Sequence, residues 1–153
     1  MTAQRVGVLL AIGVILADQL SKWAALHWLS PYQPVPVLPS VNLFLAFNPG
    51  AAFSLLAQGS GWQRWLLSAV AVGVSGYLLY WLRDLAPDQR WRAVAIGLVL
   101  GGAIGNLIDR LHLGVVVDFI DLYYGDWHWP AFNVADAAIT IGAVFILFML
   151  RRD

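Results

Sequence analysis

Apolar residues run along this chain in four long stretches, separated by segments rich in Pro, Gly, Trp and charge. Each stretch is about 20 residues, enough to cross roughly 30 Å of hydrocarbon at about 1.5 Å per helical residue. The pattern predicts helices over about residues 6–28, 62–82, 91–111 and 132–150. A cleaved signal peptide competes for the first, because Arg5 precedes an apolar run, but Asp18 and Lys22 interrupt that run and three more stretches follow. Between the first two helices the pattern changes. Pro31, Pro34, Pro36 and Pro39 favour extended backbone, and Val41, Leu43, Leu45 and Phe47 then alternate with Asn42, Phe44 and Ala46. Short strands are predicted here, forming a small sheet in the first outer loop. Asn48-Pro49-Gly50 fits a turn after them, with Pro fixing φ at its second position and Gly accepting positive φ at its third. No repeat or composition break divides residues 1–153, so a single domain is expected.

Composition moves the four helices into a membrane. The chain is 60% hydrophobic and 12% charged, against about 25% charged in a soluble domain, whose surface must face water. The class expected is an all-α integral membrane protein, with four transmembrane helices and an extracytoplasmic β-sheet cradle. Nine Lys and Arg balance nine Asp, with no Glu and no Cys. Neutrality removes the basic signature of a nucleic-acid partner, and the missing thiols exclude disulfides, thiolate metal sites and Cys nucleophiles. Arg5, Arg83, Arg90, Arg92, Arg151 and Arg152 all fall on one side of the spans, whereas residues 29–61 and 112–131 hold no Lys or Arg beyond the span ends. Both termini are therefore expected in the cytoplasm. Trp23, Trp28, Trp62, Trp65, Trp127 and Trp129 then gather at the outer interface, where amphipathic rings prefer to sit.

The polar residues divide the span depth unevenly. Residues 6–17, 72–82, 93–100 and 141–150 hold no Asp, Lys, Arg or His, while Asp18, Asp109, Asp118 and Asp136 fall at or near the outer third. An ion carrier needs polar stations through the whole depth. A one-sided site fits an enzyme or receptor acting on something presented at the outer leaflet. Asp18 and Lys22, four residues apart, share a helix face as an ion pair would. Ser21 beside Lys22 is a poor nucleophile pair, because adjacent helical residues point about 100° apart. Gly97, Gly101 and Gly105 make a smooth stripe for close helix packing, running into Asn106 and Asp109, with Arg110 expected as the structural partner of Asp109. Asp118 lies in an apolar run beyond the third span. Asp136 opens the fourth, with Asn133 three residues before and Thr140 four after on the same face. Neither has a cation nearby in sequence. Two desolvated carboxylates at close range cannot both ionise, so one keeps a proton while the other takes one from water. Asp136 also suits a purely structural place at a helix N-terminus. His27, His112 and His128 show no ligand spacing, so neither a metal nor another cofactor is expected.

Five blocks, in order, carry a family resemblance: residues 18–22 (DQLSK), 48–54 (NPGAAFS), 101–110 (GGAIGNLIDR), 116–119 (VVDF) and 132–136 (FNVAD). Together they resemble the bacterial lipoprotein signal peptidases, or signal peptidase II. The resemblance implies a multi-pass aspartyl endopeptidase of the inner membrane that cuts diacylglyceryl-modified prolipoproteins just before the lipidated cysteine, expected to act as a monomer. By the same likeness Asp118 and Asp136 match the catalytic pair, while Asp18, Lys22, Asn48, Gly50, Asn106, Asp109, Arg110 and Asn133 match positions that shape the site. Residues 123–129 match no family pattern. A non-enzymatic receptor for lipidated peptides is the alternative from another class.

Overall fold

The computed structural model describes residues 1–50 and 61–151. Its helices are α1 (Ala3–Trp28), α2 (Trp62–Arg83), α3 (Arg90–His112) and α4 (Val134–Leu150); its strands are β1 (Val35–Leu38), β2 (Val41–Asn48), β3 (Val116–Tyr124) and β4 (Trp127–His128). The apolar stretches thus mark every helix end to within three residues. α1, α2 and α3 are long and apolar enough to cross a membrane, and α4 is a shorter apolar helix of 17 residues. Their outward faces carry Leu9, Leu16, Leu20, Val72, Val144 and Leu147, all exposed. That is the reverse of a water-soluble bundle.

α3 is the central helix, packed against α1, α4 and α2. The glycine stripe permits this. A Cβ at Gly101 would lie 2.7 Å from the Ala11 carbonyl of α1, and one at Gly105 would lie 2.6 Å from the Asp18 carboxylate. At one end of the bundle Ala3, Ala11, Leu78, Leu82, Ala93, Ile96 and Leu100 form an apolar core. At the other end the helices enclose polar side chains and meet the sheet.

The sheet is antiparallel with order β1-β2-β3-β4. This corrects the expectation that it belongs to the first loop alone, because β3 and β4 come from the loop after α3. β3 escapes notice in the sequence because its first four residues are all buried; a strand covered on both faces shows no alternation. The alternation read in β2 is also interrupted. Its buried residues are Asn42 and Leu45, since the register with β3 shifts between Leu43 and Ala46, and such a bulge changes which side chains face inward.

Candidate functional site

The expected turn at residues 48–50 forms. Gly50 has φ 113°, and its N–H donates to Asn48 Oδ1 at 2.9 Å, an Asx turn closing the end of β2. The rest of that block, residues 51–54, lies outside the described residues. Because a backbone N–H can only donate, the turn fixes Asn48 Oδ1 on Gly50 and turns Nδ2 toward Asp118, where it donates to Oδ2 at 3.2 Å.

The same device recurs at the start of α4. Asn133 is its N-cap: Oδ1 accepts from Asp136 N at 2.9 Å, and Asp136 Oδ2 accepts from Asn133 N at 3.3 Å, a reciprocal capping box. Asn133 Nδ2 is thereby turned to Asp118 Oδ1 at 2.7 Å, sharing its two hydrogens with Val117 O and Asn106 Oδ1 at 3.2 Å each. The helix-terminal role weighed for Asp136 in the sequence is therefore real. It still leaves Asp136 Oδ1 for Asn106 Nδ2, which donates to it at 2.8 Å.

Lys22 completes the set. Its ammonium, almost wholly buried, meets Asp18 Oδ2 at 2.8 Å, Asp109 Oδ2 at 2.9 Å and Asn106 Oδ1 at 3.0 Å. Three donors thus find three acceptors, as a buried cation requires. The i, i+4 pairing of Asp18 with Lys22 is as expected. The partner expected for Asp109 is not: Lys22 takes the place of Arg110, whose Nη1 donates to Asn106 O at 3.5 Å. Adjacent helical residues point about 100° apart, so when Asp109 turns toward α1, Arg110 turns away from it. Its guanidinium is nevertheless within electrostatic reach of Asp136, Asp109 and Asp118. Ser21 Oγ donates to Asp18 O at 2.9 Å, and with all three Lys22 donors engaged no Ser/Lys pair forms.

The two carboxylates on Lys22 each hold one further backbone group. Asp18 Oδ1 accepts from Ala135 N at 2.9 Å, and Asp109 Oδ2 accepts from Val117 N at 3.0 Å. Those residues immediately precede Asp136 and Asp118. Gln19, absent from the candidates, joins the cluster by donating to Asp109 Oδ1 at 2.9 Å, and to Gly105 O and Asp18 Oδ2 at 3.2 Å each. Its signal in the sequence is a carboxamide next to Asp18 and three residues before Lys22, just after the apolar run of residues 6–17.

Asp118 is 2% exposed, and its carboxyl is pushed up to about 7. Burial is the main cause, and the negative charge of Asp136 adds to it; the Asn48 and Asn133 donors and the Lys22 charge offset only part. Beside Asp136 opens a cleft of about 290 Å³, walled by Leu122, Trp129, Phe132, Ala137 and Ile141. Its lining is apolar apart from Asp136 and Thr140, whose hydroxyl donates to Asp136 O at 2.8 Å. Among the described residues no group of His or Asp is arranged to hold a metal ion.

Known proteins resemble this chain over most of its length. A family model of signal peptidase II matches residues 10–151. This chain belongs to the signal peptidase II family. It is 52% identical over 139 residues to the lipoprotein signal peptidase of Polynucleobacter necessarius subsp. necessarius, covering 91% of this chain and 85% of that one. It is 50% identical over 139 residues to the lipoprotein signal peptidase of Pseudomonas syringae pv. tomato, covering 90% and 80%. Two solved structures described as bacterial membrane enzymes superpose with TM-scores of 0.85 and 0.84 at 32% identity, each over 96% of this chain and over 88% and 93% of theirs. The family match thus spans nearly all of the chain.

Proposed function

We propose that this protein is an aspartic endopeptidase that removes signal peptides from prolipoproteins, cutting just before a diacylglyceryl-modified cysteine, with Asp118 and Asp136 as its catalytic pair. The observation that carries this is the pairing itself: a buried Asp118 and a half-buried Asp136, each one backbone step from an Asp109 or Asp18 anchor, bridged by Asn133. The names of the relatives supply the substrate class.

Asp118, the carboxyl pushed up to about 7, is assigned the proton. Asp136 removes a proton from a water molecule as its oxygen bonds to the scissile carbonyl carbon, while Asp118 gives its proton to the carbonyl oxygen. Collapse of the tetrahedral intermediate breaks the C–N bond as Asp136 gives the proton it took from water to the leaving amine of the cysteine, and the proton on the former carbonyl oxygen returns to Asp118. Asn48, Asn106 and Asn133 keep N–H groups on both carboxylates without supplying a proton of their own. In the same proposal α4 is a fourth span, both termini are cytoplasmic, and the sheet rests at the outer face of the inner membrane as a cradle for the lipidated peptide. The chain works as a monomer without a cofactor.

The test is turnover of a diacylglyceryl-cysteine peptide by purified Asp118→Asn and Asp136→Asn. Each change should lower turnover by at least about 10⁴-fold with peptide affinity nearly kept, and the double variant should be hardly worse, because members of a dyad act as one unit. Substantial activity in either single variant would refute the pair. Binding without cleavage by the unaltered chain would favour the receptor alternative.

A further inference from the structure

Asp121 is a buried carboxylate that the chemistry above does not use. It is 5% exposed and stands on β3 opposite Asn42 of β2, whose Nδ2 donates to Asp121 Oδ2 at 2.8 Å. From the other side His128 Nδ1 meets both Asp121 oxygens, at 2.8 and 3.0 Å. The imidazole also stacks on Tyr123, with ring centroids 5.4 Å apart and planes 22° from parallel. Three strands are clipped together at one carboxylate.

β4 needs such a clip. It is two residues long and pairs with β3 only at Tyr123↔His128 and Tyr124↔Trp127, around a turn in which Gly125 has φ 60°. A hairpin that short is marginal by itself. Successive strand residues point to opposite faces, so with Asp121 and His128 on one face, Leu122 and Trp129 fall on the other, where both wall the cleft beside Asp136. Trp129 N donates to Leu122 O at 2.8 Å, and its half-exposed ring meets Trp127 edge-on. Beyond it, Phe132 pairs with Ile120 and leads directly into Asn133.

We propose that the Asp121–His128 pair is a positioning element that fixes Trp129 as the wall of the cleft and so sets how tightly the apolar part of a lipid-modified peptide is held beside Asp136. This rests on the proposed function, because the cleft is taken as the place where substrate lies. His128 and Asp121 touch neither catalytic carboxylate, so loosening the clip acts on binding and leaves the chemical step alone.

The experiment is a cycle of His128→Ala, Trp129→Ala and the double variant, with KM and kcat measured on a diacylglyceryl-cysteine peptide in detergent, alongside melting temperature. His128→Ala should raise KM about 10-fold, as expected when uniform binding is lost, with kcat within about threefold. Trp129→Ala should do the same, and the double variant should match Trp129→Ala, since both changes remove one wall. His128→Asn, whose Nδ2 can stand near the place of Nδ1, should recover most of the lost KM. An unchanged KM in His128→Ala, or fully additive effects in the double variant, would overturn the inference. Should His128→Ala fold poorly, Asp121→Asn, which keeps acceptor and shape while losing the charge, must raise KM part of the way; no rise refutes the clip. If Asp118→Asn or Asp136→Asn retains turnover, the proposed chemistry fails. If both are inactive while KM ignores His128 and Asp121, only the clip fails.

Discussion

At the scale of single residues, the site is organised by groups that can only donate. An asparagine side chain has two ends of nearly equal shape, and which end faces a carboxylate decides whether it stabilises or repels the charge. Gly50 N, Asp136 N and the Lys22 ammonium each occupy one amide oxygen, so Asn48, Asn133 and Asn106 all turn their NH₂ groups onto Asp118 or Asp136. A prediction follows from the raised Asp118 carboxyl. In the unfolded chain it titrates near its ordinary value of 3.8, and in the fold near 7. A group raised on folding adds stability that is complete below the lower value and is lost as pH climbs through the higher one. Asp118→Asn cannot ionise. It should therefore melt at a higher temperature than the parent at about pH 8, with the difference shrinking toward about pH 4. Melting curves in detergent at both ends of that range check this, and a gain that grows on acidification would contradict the assigned direction.

At the scale of elements, the α1–α3 contact matters more to the site than a packing stripe implies. Glycine stripes let helices approach, and the sequence carries no more than that. In the structure Gly105 is also the space into which the Asp18 carboxylate fits. Alanine in place of a helical glycine ordinarily stabilises by about 1 kcal/mol. At Gly105 the new Cβ would lie 2.6 Å from Asp18 Oδ2, pressing on the anchor of Ala135 N and of Lys22. Overpacking of this kind costs about 1–3 kcal/mol, so Gly105→Ala should lower both melting temperature and turnover. Gly13, on α1, meets nothing within 4 Å of an added Cβ, and Gly13→Ala should melt no lower than the parent. Thermal denaturation and cleavage assays of the two variants, side by side, separate gained helix propensity from lost space.

At the scale of the whole molecule, charge outside the spans sets the orientation, and the chain has no cysteine to complicate its measurement. Asp126 stands exposed at the β3–β4 turn. In the proposed topology a cysteine there is outside, so Asp126→Cys in intact cells should react with a membrane-impermeant thiol reagent added externally. Labelling only after the cytoplasm is opened would reverse the orientation. The sequence by itself determined the four helices, because a long apolar run in a nearly uncharged chain has few other uses, and it located the turn at Gly50, because Asn-Pro-Gly has matching backbone preferences. It also singled out the carboxylates, since ionisable groups among apolar helices are costly and few. It did not determine their partners. Asp109 and Lys22 are far apart in sequence and meet only because α1 and α3 pack along glycines, whereas Arg110, its neighbour in sequence, points elsewhere on the helix. Nor did it reveal β3, whose burial on both faces erased the period of two, or the Asp121–His128 clip, whose members stand seven residues apart across a turn. Pairings of that sort depend on register and crossing geometry, which arise only when the elements pack.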